Sequence, residues 1–101
     1  MYDCARQSVE IPASFVLACA DANTTLTHLQ WSGWGQTTAH ATGDLLEKDC
    51  TPNCAEGKNV QYPASVTVST IAAGRYTYMH VSAPQAPGGP YDYTLTPIGP
   101  N

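Results

Sequence analysis

The chain has 101 residues, a formal net charge of −4 and only 12% charged residues. This length supports one domain, because two independent hydrophobic cores would not fit. Four scattered Lys and Arg residues do not form the basic face that a nucleic-acid-binding domain needs, nor one that would hold an anionic membrane. No apolar run approaches the roughly 18 residues that span a bilayer, so no transmembrane segment is predicted.

The cysteines are the most informative residues of the sequence. Four of them in a short chain with few charges indicate a disulfide framework and an oxidising, extracellular setting. Three pairings are open. We favour Cys4 with Cys19 and Cys50 with Cys54, because the first two are close in sequence and the second two enclose a Pro-Asn turn. In the chain-entropy treatment these bridges contribute about 3 and about 2 kcal/mol.

The N-terminal region admits two interpretations of targeting. Residues 16–19, Val-Leu-Ala-Cys, resemble a bacterial lipoprotein cleavage box, which would make the protein a lipoprotein of the cell surface. Asp3 and Glu10 precede this box, whereas a signal peptide begins with basic residues. We therefore expect that a secretion signal has already been removed and that Met1 is an added residue.

Alternation of apolar and polar side chains dominates the first half of the chain. It predicts strands over residues 15–20, about 26–34 and 37–45. Trp34 falls out of phase with Trp31 across Ser-Gly, which indicates a bulge or bend at that point.

The pattern breaks down between residues 46 and 61, a charged stretch that contains the second cysteine pair and is predicted to be an exposed loop. A strand over 62–69 follows, and Gly74 is expected to supply positive φ in a hairpin turn. The remaining elements are strands over 76–81 and 91–95, separated by a Pro/Gly-rich loop over 84–90.

These elements predict an all-β fold, a single antiparallel β-sandwich (Ig-like) or small barrel of about six strands with two disulfides. Residues 1–83 form the disulfide-stapled β-domain in this interpretation. Residues 91–101 are expected to supply its last strand and a C-terminal tail.

No catalytic motif is recognisable, and we expect neither an enzyme nor a cofactor. His28, His40 and His80 lie on three different predicted strands, without the short spacing of a zinc site. Carboxylates for hydrolysis are present, but each lies beside a turn or in the charged loop, where such groups are ordinarily solvated.

Aromatic residues are the main candidates for a contact surface. Trp31 is expected in the core. For Trp34 the sequence leaves two positions open, one in the core and one exposed. Tyr76 and Tyr78, with two further tyrosines on the last strand, either line a carbohydrate or protein site or cover the sheet.

Several spaced motifs across residues 4–82 resemble a family of small secreted proteins and lipoproteins found in actinobacteria and their phages. The motifs are LACADAN at 17–23, LTHLQWSGWG at 26–35, DCTPNCAEG at 49–57 and the Tyr-Pro at 62–63. The resemblance implies an exported, disulfide-bonded β-domain, and it implies no activity.

The sequence therefore predicts a secreted, extracellular, non-enzymatic and monomeric binding domain, whose partner is a protein or a cell-envelope carbohydrate. Its contact surface is predicted around the 46–61 loop and nearby aromatics, with the candidate residues Thr51, Pro52, Asn53, Trp34, Tyr76 and Tyr78. The alternative is a small extracellular protease inhibitor or hydrolase that uses the same loop.

Overall fold

The fold is all-β, as the alternation predicts. A computed structural model describes residues 1–19, 24–48, 59–86, 90–96 and 99–100. Its strands are β1 (Phe15–Val16), β2 (Thr24–Ser32), β3 (Thr38–Lys48), β4 (Asn59–Ala72), β5 (Arg75–Ser82), β6 (Tyr91–Thr96) and β7 (Gly99–Pro100). The described ranges include no helix that could cross a membrane.

The seven strands lie side by side in their sequence order, and every pair is antiparallel. Consecutive antiparallel strands need only short connections, such as residues 33–37 and 73–74. Where the sequence predicted a sandwich or a small barrel, the strands form one curled sheet. The curl is visible in a hydrogen bond of 2.9 Å from the Tyr91 hydroxyl on β6 to Glu47 Oε1 on β3, across two intervening strands.

The core lies on the inner face of the sheet, because every second residue of the central strands is apolar. The buried side chains of β3, β4 and β5 are Ala39, Ala41, Leu45, Ala64, Val66, Val68, Tyr76, Met79 and Val81. Phe15 and Leu17 cover them from the N-terminal side, and Leu95 does so from β6. The outer face carries the polar residues of the same alternation.

Residues 1–9 form a small hairpin, which we call the N-terminal hairpin. Tyr2 and Ser8 pair across it, and the Val9 amide donates a 2.8 Å hydrogen bond to the Met1 carbonyl. The Met1 side chain is only 2% exposed and belongs to the core. The Cys4–Cys19 disulfide ties this hairpin to the segment after β1, which confirms that predicted pairing. Cys50 and Cys54 lie outside the described residues.

Two strand boundaries differ from the predicted ones. In the described part of the strand expected over 15–20, residues 15–19, only Phe15–Val16 pairs with β2, because the next two amides both donate to the Thr24 carbonyl. Pairing of β3 with β4 continues to Lys48 and Asn59, so both ends of the predicted 46–61 loop belong to strands.

A β-bulge interrupts β2 where it pairs with β3. His28 and Leu29 together face the single residue Gly43, and His28 adopts a φ of 54°. A Cβ atom at Gly43 would lie 2.6 Å from the Thr27 carbonyl oxygen and 3.1 Å from that of His28. Glycine is therefore required on β3 because the bulged backbone approaches it so closely.

Replacing Gly43 with alanine should lower the free energy of unfolding by about 1–3 kcal/mol, the usual cost of overpacking. Chemical denaturation measures this change. Thr42→Ala, at the exposed neighbouring position, is the control and should change stability by less than about 0.5 kcal/mol. A Gly43→Ala variant as stable as the parent chain would contradict the close approach at the bulge.

Candidate binding cleft

Three aromatic rings stack at the end of the sheet where the β2–β3 and β4–β5 connections lie. The ring centroids of Trp31 and Trp34 are 5.1 Å apart at an interplanar angle of 78°. Those of Trp34 and Tyr76 are 5.0 Å apart at 69°. Both pairs are edge-to-face, a geometry worth about 0.5–1.5 kcal/mol beyond the buried area. The ring of Trp34 is therefore held from two sides.

Hydrogen bonds fix the two outer members of this stack. The Trp31 indole N–H donates to the Pro12 carbonyl at 2.7 Å. The Tyr76 hydroxyl donates a hydrogen bond to the Gln36 carbonyl at 2.5 Å and accepts one from the Gly35 amide at 2.9 Å. Because Gly33 and Gly35 both have positive φ, the chain bends sharply after β2, as the phase change at Trp34 predicted.

A cleft of 440 Å³ opens beside Trp34, and we call it the hairpin cleft. The N-terminal hairpin and the residue after it contribute Ser8 and Glu10, the β4–β5 hairpin contributes Ile71 and Arg75, and the aromatic stack contributes Trp34. This volume falls within the range of small-molecule sites. The cleft thus combines an aromatic wall with hydroxyl, carboxylate and guanidinium groups.

Arg75 is placed by the turn that precedes it. Ala73 and Gly74 both have positive φ, 52° and 78°, which confirms the predicted role of Gly74 in the hairpin turn. The Arg75 Nε donates to Ser8 Oγ at 3.2 Å, and Nη1 donates to the Ala73 carbonyl at 3.4 Å. The guanidinium also lies over the Tyr2 ring, 4.8 Å from its centroid. Arg75 is therefore anchored by both hairpins.

The charges around the cleft influence one another. The pKa of the Met1 ammonium is lowered, chiefly by burial and secondarily by Arg75, while Glu10 opposes this shift. Both the residue with the guanidinium, Arg75, and the residue with the carboxylate, Glu10, line the cleft. The arrangement suits a polar ligand with an apolar face better than a purely apolar one.

The histidines lie away from this cleft, on the outer face. His80 Nδ1 is 2.7 Å from Asp92 Oδ1, and the Tyr78 hydroxyl donates to the same oxygen. The pKa of Asp92 is lowered, first by the Tyr78 hydrogen bond and then by that of His80. His40 Nδ1 lies 3.2 Å from Thr67 Oγ1 on the neighbouring strand.

His28 pairs separately with Asp44 at 3.2 Å. Within the described ranges no three His, Cys, Asp or Glu side chains are grouped so that they could hold a metal ion. The absence of an enzymatic activity and of a cofactor remains a prediction.

The structure separates the residues predicted as one contact surface. Trp34 and Tyr76 touch each other at the hairpin cleft, whereas Tyr78 is exposed on the outer face. Trp34 precedes the start of β3, whereas residues 49–58 of the predicted loop follow its other end in the sequence. Thr51, Pro52 and Asn53 lie outside the described residues, so the inhibitor alternative, which requires this tip, stays a hypothesis.

Sequence reasoning missed Ser8, Glu10 and Arg75. The N-terminal hairpin has no run of alternating apolar and polar residues from which it could be predicted. A signal did exist for Arg75, because a fixed cation directly after a hairpin glycine must lie at the end of the sheet. Comparison of the chain with protein families, with curated proteins and with solved structures gives no match.

A second aromatic group occupies the inner face at the opposite end of the sheet, where Tyr62, Tyr91 and Tyr93 pack against the core. Burial, and then the hydrogen bond to Glu47, raises the pKa of Tyr91 to about 12. Burial raises the pKa of Tyr93 as well. Because the folded state favours the neutral Tyr91, its contribution to stability is complete below about pH 10 and is lost as the pH rises towards 12.

Tyr91→Phe should reduce the tyrosinate absorbance that develops as the pH approaches 12 in a spectrophotometric titration, because burial and Glu47 raise the pKa of Tyr91 to about 12. An unchanged late absorbance in Tyr91→Phe would contradict the raised pKa of Tyr91 and its contact with Glu47.

Proposed function

We propose that this protein is a secreted, non-enzymatic binding domain and that the hairpin cleft is its ligand site. The observation that carries the proposal is the immobilised Trp34, which lines the cleft while two aromatic neighbours hold its ring. A wall that is ordered before binding loses little entropy when the ligand arrives. This location replaces the 46–61 loop as the centre of the proposed surface.

The proposed ligand is a cell-envelope carbohydrate. Sugar rings have an apolar face that packs on aromatic side chains and a rim of hydroxyl groups that need hydrogen-bond partners. Trp34 offers the first of these surfaces, and Ser8, Glu10 and Arg75 offer the second. A protein partner, the other predicted class, would favour a larger and flatter surface than a 440 Å³ cleft.

Export is part of the same proposal. The Cys4–Cys19 bridge supports it, because disulfides persist in oxidising compartments and are rare in the cytosol. The scarcity of charged residues and the resemblance to small secreted actinobacterial proteins agree with an extracellular location.

The test is sedimentation of the oxidised protein with insoluble cell envelope from an actinobacterium. Trp34→Ala should weaken binding about tenfold or more, since buried aromatic anchors dominate such contacts. Trp34→Phe, which keeps a ring, should retain part of the affinity, and this residual binding would show that substitution at this position leaves the fold intact. Val60→Ala, an exposed apolar position at the other end of β4, is the control and should bind like the parent chain.

Treatment of the envelope identifies the partner class. Periodate oxidation of the sugars should abolish binding, whereas protease digestion should leave it unchanged. Binding that survives periodate but not protease would indicate a protein partner. Equal binding by Trp34→Ala and the parent chain would overturn the assignment of the cleft.

A further inference from the structure

Arg75 has an unusual setting for a fixed cation in an acidic protein. The chain carries eight Asp and Glu residues against four Lys and Arg. In the part of the chain that the structure describes, the salt bridges within 4.0 Å involve histidines, and Arg75 has no carboxylate partner. Its contacts are instead a hydroxyl, a carbonyl and an aromatic ring. The positive charge is therefore held in place but not neutralised by a neighbour.

The contacts of Arg75 leave part of its hydrogen-bonding capacity for a ligand. Nε and Nη1 bind Ser8 and Ala73, whereas Nη2 has no hydrogen-bond partner among the described residues. A guanidinium offers a planar fork that matches the oxygens of a carboxylate or a phosphate. Because Tyr2 already supports the Arg75 side chain, little of its rotamer freedom remains to be lost on binding.

Glu10 limits where a negative charge can lie in the same cleft. Its carboxylate repels an anion but accepts hydrogen bonds from hydroxyl groups. A ligand that fits both residues has an anionic group at one end and neutral hydroxyls at the other, with a ring between them for Trp34. Neutral sugars satisfy only part of this set.

We propose that the hairpin cleft recognises an anionic saccharide, with Arg75 binding its carboxylate or phosphate group and Trp34 packing on its ring. This inference rests on the proposed function and names the ligand class. The two anionic groups share the same oxyanion chemistry, and the experiment separates them.

The experiment is calorimetric titration of the folded, oxidised protein with three probes: glucose, glucuronic acid and glucose 6-phosphate. The parent chain should bind at least one of the anionic probes about tenfold more tightly than glucose, as expected for a charge-assisted hydrogen-bonded pair. Whichever anionic probe binds more tightly identifies the recognised group as a carboxylate or a phosphate.

Variants assign this preference to a residue. Arg75→Gln should bind all three probes alike, and Arg75→Lys, which keeps the charge without the fork, should retain only part of the preference. Arg6→Gln removes the same charge from the exposed turn of the N-terminal hairpin, outside the cleft, and should preserve the preference. Thermal unfolding of each variant verifies that the fold is intact.

Equal affinity of the parent chain for glucose and both anionic probes would overturn the inference while leaving the proposed function standing. Retention of the preference in Arg75→Gln would do the same. If none of the probes binds, the inference is also overturned, and the envelope assay with Trp34→Ala then decides the proposed function by itself.

Discussion

The Tyr76 hydroxyl is the constraint on which the hairpin cleft depends. It holds the β2–β3 turn from β5, because it binds both the Gly35 amide and the Gln36 carbonyl. Gly35 and Gln36 lie about forty positions earlier in the chain, in the turn between β2 and β3, and neither of these strands is a neighbour of β5 in the sheet. Without this clamp the turn would keep only the hydrogen bond from the Gln36 amide to the Gly33 carbonyl and its two glycines, which leave the backbone free. The orientation of Trp34 is thus set by tertiary contacts rather than by local sequence.

The N-terminal hairpin completes the cleft and is itself fixed by long-range contacts. Arg75 reaches Ser8 across 67 positions of sequence, and Trp31 binds the Pro12 carbonyl. The Cys4–Cys19 bridge holds this hairpin beside the sheet covalently. Since each wall of the cleft comes from a different part of the chain, the site exists only in the folded protein. Stability and binding are therefore linked through the same few side chains.

Alternation of apolar and polar residues was enough to predict the central strands, because the inner face of each is apolar and its outer face is polar. The Gly74 turn and the Cys4–Cys19 pairing were predictable for equally local reasons. The curl was not, since the contact that reveals it joins Tyr91 of β6 to Glu47 of β3, 44 positions apart in the sequence. Nor was the cleft, because Ser8 and Arg75 show their proximity only in three dimensions. Of the predicted contact residues, Trp34 and Tyr76 meet at the cleft, but the sequence offered no means of separating them from Tyr78.

The central claim is that ligand binds in the hairpin cleft, and nuclear magnetic resonance of the isotope-labelled protein tests it most directly. Titration with an envelope saccharide that the protein binds should shift the Trp34 indole, the Gly35 amide and the Arg75 guanidinium signals together, with saturation at one common concentration. The signals of His80 and Asp92 on the outer face should remain in place. Shifts centred on those outer-face residues, with the Trp34 indole unchanged, would contradict the account.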